Sequence, residues 1–274
     1  MSYNQRSKDG GRTPQEENYT MTERTLNKRT LVWAHRGVAY APENTLPSFR
    51  MAVDMKADGV ELDVHLTKDK KILVCHNGTI GETSDGHGAI RDMTYDEISE
   101  FNFAYRADGR YDKFGFVKAP LLDDVFELLA PTGLTVNVEI KSDETELPAM
   151  CIALSEKYGM KDRVYYSAFN HLNLERLHET DISVPTAPLY CERILYPWIY
   201  ASLIGAKAIH PAGYQVDCVP GIIHECHIRG IRVNPWTIDD EDTMDHMIDA
   251  GVDALITDLA DVARRHVLAH FGEE

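Results

Sequence analysis

Two histidines and three carboxylates stand at the ends of predicted strands in this sequence. The histidines are His35 and His76, and the carboxylates are Glu61, Asp63 and Glu139. Carboxylate oxygens are hard ligands that suit a divalent cation. Two imidazoles can act as an acid and a base near neutral pH. This combination of residue types predicts metal-assisted acid–base chemistry.

Two cationic residues adjoin this set. Arg36 directly follows His35, and Lys141 comes two residues after Glu139. Guanidinium and ammonium groups are the side chains that pair with phosphate oxygens. The whole set therefore predicts a site that cleaves a phosphodiester with the help of a metal ion.

The elements that must position these residues follow a parallel α/β pattern, in which short apolar runs alternate with amphipathic helices. The predicted strands cover residues 31–35, 60–66, 72–76, 134–140, 164–167, 184–189, 206–210, 231–236 and 254–257. This is one strand more than a (β/α)8 TIM barrel contains.

The second and third predicted strands resolve the discrepancy. Only residues 67–71 separate them, and a parallel crossover needs about a dozen residues or more. The two strands must therefore form an antiparallel hairpin, which leaves eight parallel strands and predicts a (β/α)8 barrel. The hairpin also brings His76 close to Glu61 and Asp63.

The alternation of side chains within the strands predicts which face each residue occupies. Glu61 and Asp63 share one face of their strand, and Glu139 and Lys141 share one face of theirs. Because apolar residues occupy the opposite faces, the charged faces are expected to point into the barrel, where an unpaired charge is costly. Salt bridges to Arg36 and Lys141 are the alternative explanation. Three carboxylates facing two cations have a net negative charge, which favours a bound divalent ion.

Three further positions have both a structural and a functional interpretation. Phe169 and Trp236 follow strand ends and are predicted to line the pocket, although either could be a core residue. Asn44 is predicted to cap the helix that follows it, and the N-terminus of that helix would also help to hold an anion.

The domain organisation is predicted from composition along the chain. Residues 1–29 are polar and lack periodic apolar positions, which predicts a disordered extension. Residues 30–274 are expected to form the barrel. Its glycine-rich stretch at about 77–120 has no clear βα repeat and is predicted to be a small inserted subdomain.

The overall composition of the chain indicates which kinds of partner and which cellular compartment it suits. The chain has 274 residues, 43% of them hydrophobic, which suffices for one barrel-sized core. Its net charge of −16 argues against nucleic acid or an anionic membrane as a partner. Five cysteines without a CxxC pair, no apolar leader and no membrane-spanning stretch predict a reduced, cytoplasmic protein. The oligomeric state is left open.

Eight short stretches resemble the glycerophosphodiester phosphodiesterase family, in the family's order from about residue 31 to the end. They lie at residues 34–37, 42–45, 59–64, 67–69, 74–76, 138–141, 236–237 and 251–258.

The resemblance implies a (β/α)8 barrel with an inserted subdomain and assigns a role to most of the candidate residues. A Ca²⁺ or Mg²⁺ ion would be held by Glu61, Asp63 and Glu139. His35 and His76 would be the acid and the base, while Arg36 and Lys141 would contact the phosphate. The products would be glycerol 3-phosphate and an alcohol, formed by attack of the substrate's own glycerol hydroxyl through a cyclic phosphate.

The chain departs from the family pattern at Asn77, at residues 81–84 and at Leu259, and two alternatives to hydrolysis remain open. The family usually has Asp after the second histidine, whereas this chain has Asn77. A lyase of the phospholipase D or phosphoinositide-cleaving type, which stops at the cyclic phosphate, is one alternative. A barrel that binds a phosphodiester without cleaving it is the other.

Overall fold

Eight parallel strands and one antiparallel strand form the sheet of the computed structural model, which describes residues 29–272. The strands are β1 (Leu31–Ala34), β2 (Gly59–Leu66), β3 (Ile72–Val74), β4 (Thr135–Ile140), β5 (Val164–Ala168), β6 (Thr186–Tyr190), β7 (Ala208–Pro211), β8 (Arg232–Val233) and β9 (Ala254–Thr257). The disordered extension predicted for residues 1–29 lies outside the described residues, except for Arg29, which pairs with Asp58.

The parallel strands follow one another around a nearly closed barrel. Their order is β8-β7-β6-β5-β4-β2-β1-β9. Two backbone hydrogen bonds join the ends of this series: the amide of Asp253 donates to the carbonyl of Val233 at 2.9 Å, and that of Ile256 donates to Pro235 at 3.1 Å. The predicted (β/α)8 barrel is confirmed.

Helices connect the strands and cover the barrel. The α-helices are Leu46–Asp54, Tyr95–Ile98, Leu122–Leu129, Leu147–Lys157, Leu172–Thr180, Pro197–Leu203, Tyr214–Cys218, Ile222–His227, Glu241–Ala250 and Ala260–Phe271. Within residues 29–272, none of these helices is long and apolar enough to cross a membrane. All five cysteines are free thiols.

The predicted hairpin is present between β2 and β3. Its antiparallel register pairs Val64 with Val74 and Leu66 with Ile72. The ladder therefore stops two residues before His76. Asp63 nevertheless accepts a hydrogen bond from the amide of Cys75 at 3.0 Å, through its carbonyl oxygen, which keeps the chain before His76 beside β2.

The strand predicted at 231–236 is shorter in the structure, because β8 ends at Val233. Pro235 has no N–H to donate, which interrupts the regular ladder. The amides of Asn234 and Trp236 still bond to Ile209 and Pro211 of the β7 strand at 3.0 Å. Trp236 thus keeps its place at the end of the barrel wall.

The residues between β3 and the helix Leu122–Leu129 fold around a small apolar cluster that includes Ile80, Ile90, Ile98 and Phe103. This stretch contains the helix Tyr95–Ile98 and two short 3-10 turns. The hydroxyl of Tyr111 donates to the carbonyl of Ala39 at 3.0 Å. That bond links the stretch to the loop after β1.

Candidate active site

A small cavity opens at the carboxyl ends of the barrel strands. It is lined by His35, Arg36, Glu61, His76, Asn137, Glu139, Lys141, Phe169, Leu189, Trp236 and Ile256. Every residue that the sequence singled out for the site lines this cavity except Asp63, which is 1% exposed and lies beside the other two carboxylates. The barrel topology thus brings together residues that are far apart in the chain.

Three carboxylates lie together at the cavity, and two of them, Glu61 and Glu139, line it. Glu61 and Asp63 come from β2, and Glu139 comes from β4, where its Cα pairs with that of Asp63. One oxygen from each lies within 4.8 Å of the others. Burial, together with the charges of Asp63 and Glu139, raises the pKa of Glu61 well above its usual value. Burial and the charge of Asp63 raise the pKa of Glu139 to about 8.

Two cations compensate this cluster in part. Arg36 Nε lies 3.4 Å from Asp63 Oδ2, and Lys141 Nζ lies 2.9 Å from Glu139 and 3.7 Å from Asp63. Burial alone would raise the pKa of Asp63, but Arg36 and Lys141 outweigh it and the pKa is lowered.

The donor set fits a hard divalent cation. All three groups are carboxylates, the ligands such ions prefer. Asp63 Oδ1 is buried without a hydrogen-bond partner, and a buried acceptor of this kind is costly unless something satisfies it. Burial and the negative charge of neighbouring carboxylates both raise the pKa values of Glu61 and Glu139, and a cation would relieve the repulsion between the charges. Among the described residues, this is the one cluster with metal-ligand geometry.

Asn44 belongs to the site rather than to the helix cap that the sequence predicted. Its side chain donates to Asp63 Oδ2 at 2.8 Å and accepts from the Asp63 amide at 3.3 Å. The helix begins at Leu46 after Thr45, and no side chain caps it. Asn44 adopts a left-handed φ of 56°, which directs its amide inward. Capping preference and a site role favour the same residue type, so the sequence could not separate them.

His35 is held by an acidic residue from the far end of the chain. Its Nδ1 lies 2.7 Å from Asp258 Oδ1, and its Nε2 lies 3.8 Å from Glu61. The amide of Asp258 donates in turn to Asp239 Oδ1 at 2.8 Å. Asp258 is not among the candidate residues that the sequence predicted. Its position directly after β9 was the signal that could have identified it.

His76 is oriented by its neighbour in the sequence. Its Nδ1 lies 2.7 Å from Asn77 Oδ1, and Asn77 Nδ2 donates to Glu82 at 2.5 Å. An ionised carboxylate only accepts, so Glu82 fixes which end of the amide faces His76. His76 must then donate from Nδ1, which leaves the lone pair on Nε2. Burial lowers the pKa of His76, which favours the neutral form.

His65 also supports His76. Its Nε2 lies 3.1 Å from the His76 carbonyl oxygen, and the ring is buried. Burial lowers the pKa of His65, which favours the neutral ring, and the carbonyl oxygen requires that Nε2 carries the hydrogen and donates. His65 therefore anchors the backbone at the end of the hairpin.

Phe169 and Trp236 form an aromatic wall of the cavity. Their rings meet edge to face at 5.5 Å, and Lys141 Nζ lies 5.8 Å from the centre of the Phe169 ring. Trp236 Nε1 donates to the carbonyl of His210 at 2.8 Å, which fixes the indole. Phe169 remains 44% exposed at the mouth of the cavity.

Fold and site together define a class: a (β/α)8 barrel with two histidines and an acidic cluster beside two cations at the carboxyl ends of its strands. A family model described as the glycerophosphoryl diester phosphodiesterase family matches residues 35–262. The chain belongs to this family, as the resemblance in its motifs implied.

Relatives and solved structures agree with this assignment. A glycerophosphodiester phosphodiesterase of Caldanaerobacter subterraneus is 36% identical over 234 residues, which cover 84% of this chain and 94% of the relative. One from Bacillus altitudinis is 31% identical and covers 85% and 96%. The crystal structure of the enzyme from Agrobacterium tumefaciens is 26% identical, with a TM-score of 0.76 and coverage of 86% and 99%.

Proposed function

We propose that this protein is a metal-dependent phosphodiesterase that hydrolyses glycerophosphodiesters to glycerol 3-phosphate and an alcohol. The observation that carries the proposal is the placement of two oriented histidines, His35 and His76, around one acidic cluster in one cavity. A solved phosphodiesterase of Oleispira antarctica is described in complex with the product sn-glycerol-3-phosphate. That product is consistent with the reaction proposed here.

Glu61, Asp63 and Glu139 would hold one divalent cation, Ca²⁺ or Mg²⁺. When bound, the ion would supply positive charge that stabilises the phosphate oxygens and lowers the pKa of a coordinated hydroxyl. Arg36 and Lys141 border the same cavity and would bind the phosphate. Phe169 and Trp236 would enclose the remainder of the substrate and limit the access of water.

The surroundings of the histidines support different roles for the two rings in the first step. His76 offers the free lone pair of Nε2 and would take the proton from the glycerol 2-hydroxyl. The hydroxyl oxygen would then attack phosphorus. His35, whose Nδ1 is paired with Asp258, would deliver a proton from Nε2 to the departing alcohol. A cyclic phosphate results, and water would open it with the two roles reversed.

Substitution of each histidine tests this proposal. His35→Ala and His76→Ala should each lower kcat for glycerophosphocholine by about 10²–10⁴-fold, the usual share of a general acid or base. Both variants should keep the wild-type circular dichroism spectrum and unfolding midpoint. Wild-type turnover by either variant would refute the assignment.

The nature of the product separates hydrolysis from the lyase alternative. Phosphorus NMR of the wild-type reaction should show glycerol 3-phosphate accumulating. A cyclic phosphate that persists after the substrate is consumed would favour the lyase. No turnover by folded protein would favour a barrel that only binds.

A further inference from the structure

An acidic stretch, residues 239–242, leads into the helix Glu241–Ala250. Carboxylates at this end of a helix usually serve the helix itself, as caps or through its dipole. Asp240 does so, because its side chain accepts hydrogen bonds from the amide and from the hydroxyl of Thr243, both at 2.9 Å. Asp239, one residue earlier, bonds to a different element.

Asp239 joins the loop after β8 to the turn after β9. Its Oδ1 accepts from the hydroxyl of Thr257 at 2.9 Å and from the amide of Asp258 at 2.8 Å. One carboxylate oxygen thus fixes the last residue of β9 and the residue that follows it.

The hydroxyl of Thr257 has a fixed direction. Thr257 is fully buried, and the amide of Leu259 donates to its Oγ1 at 3.0 Å. Since Leu259 supplies that hydrogen, the single hydrogen of the hydroxyl is directed to Asp239. The turn 257–259 is therefore closed by a chain of hydrogen bonds that ends at Asp239.

The same turn holds the loop after β1. The amide of His35 donates to the carbonyl of Thr257 at 2.8 Å, and the amide of Ala39 donates to the carbonyl of Asp258 at 3.0 Å. The ring of His35 is held too, with Nδ1 at 2.7 Å from Asp258 Oδ1. Because an ionised carboxylate only accepts, Nδ1 carries the hydrogen and Nε2 faces the cavity.

The place of Asp239 is unfavourable for a charge. Burial and the neighbouring charge of Asp258 raise the pKa of Asp239, although the bond from the Asp258 amide opposes them. An asparagine would offer the same accepting oxygen without the repulsion. Asp239→Asn is therefore the variant that separates the effect of the hydrogen bonds from the effect of the charge.

We propose that Asp239 is a positioning residue for His35. By fixing the turn 257–259, it holds Asp258 where the carboxylate of Asp258 orients the imidazole ring. Asp239 is not among the residues that line the cavity, so it acts through Asp258. The inference rests on the proposed function only in giving His35 the role of general acid.

Turnover of glycerophosphocholine tests the positioning. Asp239→Ala should lower kcat by about 10–100-fold, as expected when a catalytic group is misplaced. KM should change by less than about threefold, because Lys141 and the acidic cluster lie on other strands. Asp239→Asn should keep at least half of the wild-type kcat. Equal losses of kcat in the two variants would overturn the proposal, since the charge and not the hydrogen bonds would then matter.

Asp240→Ala is the matched control from the same loop. It removes the helix cap, so the unfolding midpoint should fall, while kcat should stay at the wild-type value. A fall in kcat as large as that of Asp239→Ala would show that any loosening of the loop has the same effect. That result would contradict a specific role for Asp239.

The hydroxyl of Thr257 offers a second pair of variants, which serves also if Asp239→Ala fails to fold. Thr257→Val removes the hydroxyl that bonds to Asp239 and should lower kcat by about threefold to tenfold, as for loss of one supporting hydrogen bond. Thr257→Ser keeps the hydroxyl and should stay within about twofold of wild type. Wild-type turnover by Thr257→Val would contradict the proposed network.

Proton NMR of the free protein separates failure of this inference from failure of the proposed function. The Nδ1 hydrogen of His35 should give a downfield resonance, identified by its loss in His35→Gln. The resonance should persist in Asp239→Asn and Asp240→Ala and should broaden or vanish in Asp239→Ala. If this holds while the wild type cleaves no glycerophosphodiester, the proposed function fails and the positioning role stands. An unchanged resonance in Asp239→Ala overturns the positioning role.

Discussion

At the scale of single residues, the site depends on groups that orient other groups. Asp258 holds His35, and Glu82 holds Asn77, which holds His76. The family pattern has a carboxylate at position 77, so this chain replaces a charged partner by an amide. The amide fixes the tautomer of His76 without adding a negative charge next to the ring.

Restoring the carboxylate should shift the pH dependence of turnover. In the double variant Asn77→Asp, Glu82→Gln, a carboxylate beside Nδ1 would favour the imidazolium and raise the pKa of His76. Because the base must be neutral, the acidic limb of the kcat/KM profile should move about one unit to higher pH. Glu127→Gln, an exposed substitution away from the cavity, is the control. An unmoved limb would contradict the role given to Asn77.

Glu82 can be tested alone. Glu82→Gln replaces a carboxylate that only accepts by an amide that can both accept and donate, so both orientations of the Asn77 amide become accessible. We expect kcat to fall by roughly threefold to tenfold while KM stays within about twofold, as for loss of a supporting hydrogen bond. Glu127→Gln should change neither value. A rise in KM alone would indicate that Glu82 affects substrate binding instead.

At the scale of elements, much of the site was predictable from the sequence. The alternation of apolar and charged side chains along β2 and β4 assigned Glu61, Asp63 and Glu139 to the inward faces of these strands. The short connection at 67–71 required an antiparallel hairpin. The loop after β1 was not predictable, because its shape depends on backbone conformations that side-chain patterns do not encode. Arg36 and Asn44 have left-handed φ values of 50° and 56°.

A glycine in this loop offers a sharp test of its packing. Gly37 has a φ of +91°, and a Cβ added there would lie 2.1 Å from the hydroxyl oxygen of Ser48. That hydroxyl accepts from the Val38 amide at 2.7 Å. Gly37→Ala should lower the free energy of unfolding by about 3 kcal/mol, through overpacking and backbone strain. It should also lower kcat/KM, because His35 and Arg36 would shift.

Gly133→Ala is the matched control, measured in the same urea titrations. Gly133 is also left-handed, with a φ of +78°, but its added Cβ would meet no atom within 4 Å. Only the conformational cost of about 1 kcal/mol should appear, with turnover unchanged. Equal losses for the two variants would contradict the packing argument for Gly37.

At the scale of the whole molecule, the barrel interior carries a buried polar residue that couples stability to pH. His210 is fully buried and packs edge-on against Trp33 at 5.9 Å. Its Nε2 lies 3.1 Å from the amide nitrogen of Asn234, from which it can accept only when neutral. Burial lowers the pKa of His210 to about 3.

The lowered pKa of His210 determines the direction in which stability changes with pH. Between its usual value near 6.5 and about 3, the unfolded chain binds a proton at His210 and the folded protein does not. Stability from this group is therefore complete above about pH 6.5 and falls with decreasing pH, by up to about 1.4 kcal/mol per pH unit. His210→Gln should remove this contribution, so in urea titrations the difference in stability between wild type and variant should change with pH by this slope. Curves of stability against pH that run parallel for the two proteins would contradict this prediction.

The net charge of −16 bears on the central claim at the same scale. An acidic protein that binds an anionic diester needs local positive charge, and Arg36 and Lys141 are both engaged by the carboxylates of the cluster. A divalent cation at Glu61, Asp63 and Glu139 would neutralise these carboxylates and free Arg36 and Lys141 to bind the phosphate. The electrostatic potential in the cavity would then become positive. Activity should therefore depend on the metal.

The most direct measurement is the release of glycerol 3-phosphate from glycerophosphocholine by purified, EDTA-treated protein as Ca²⁺ or Mg²⁺ is added back. The account predicts no turnover in EDTA and a saturable return with one of these ions. Asp63→Asn should show no return at the same concentrations. Full turnover in EDTA, or none with either ion in folded protein, would contradict the account.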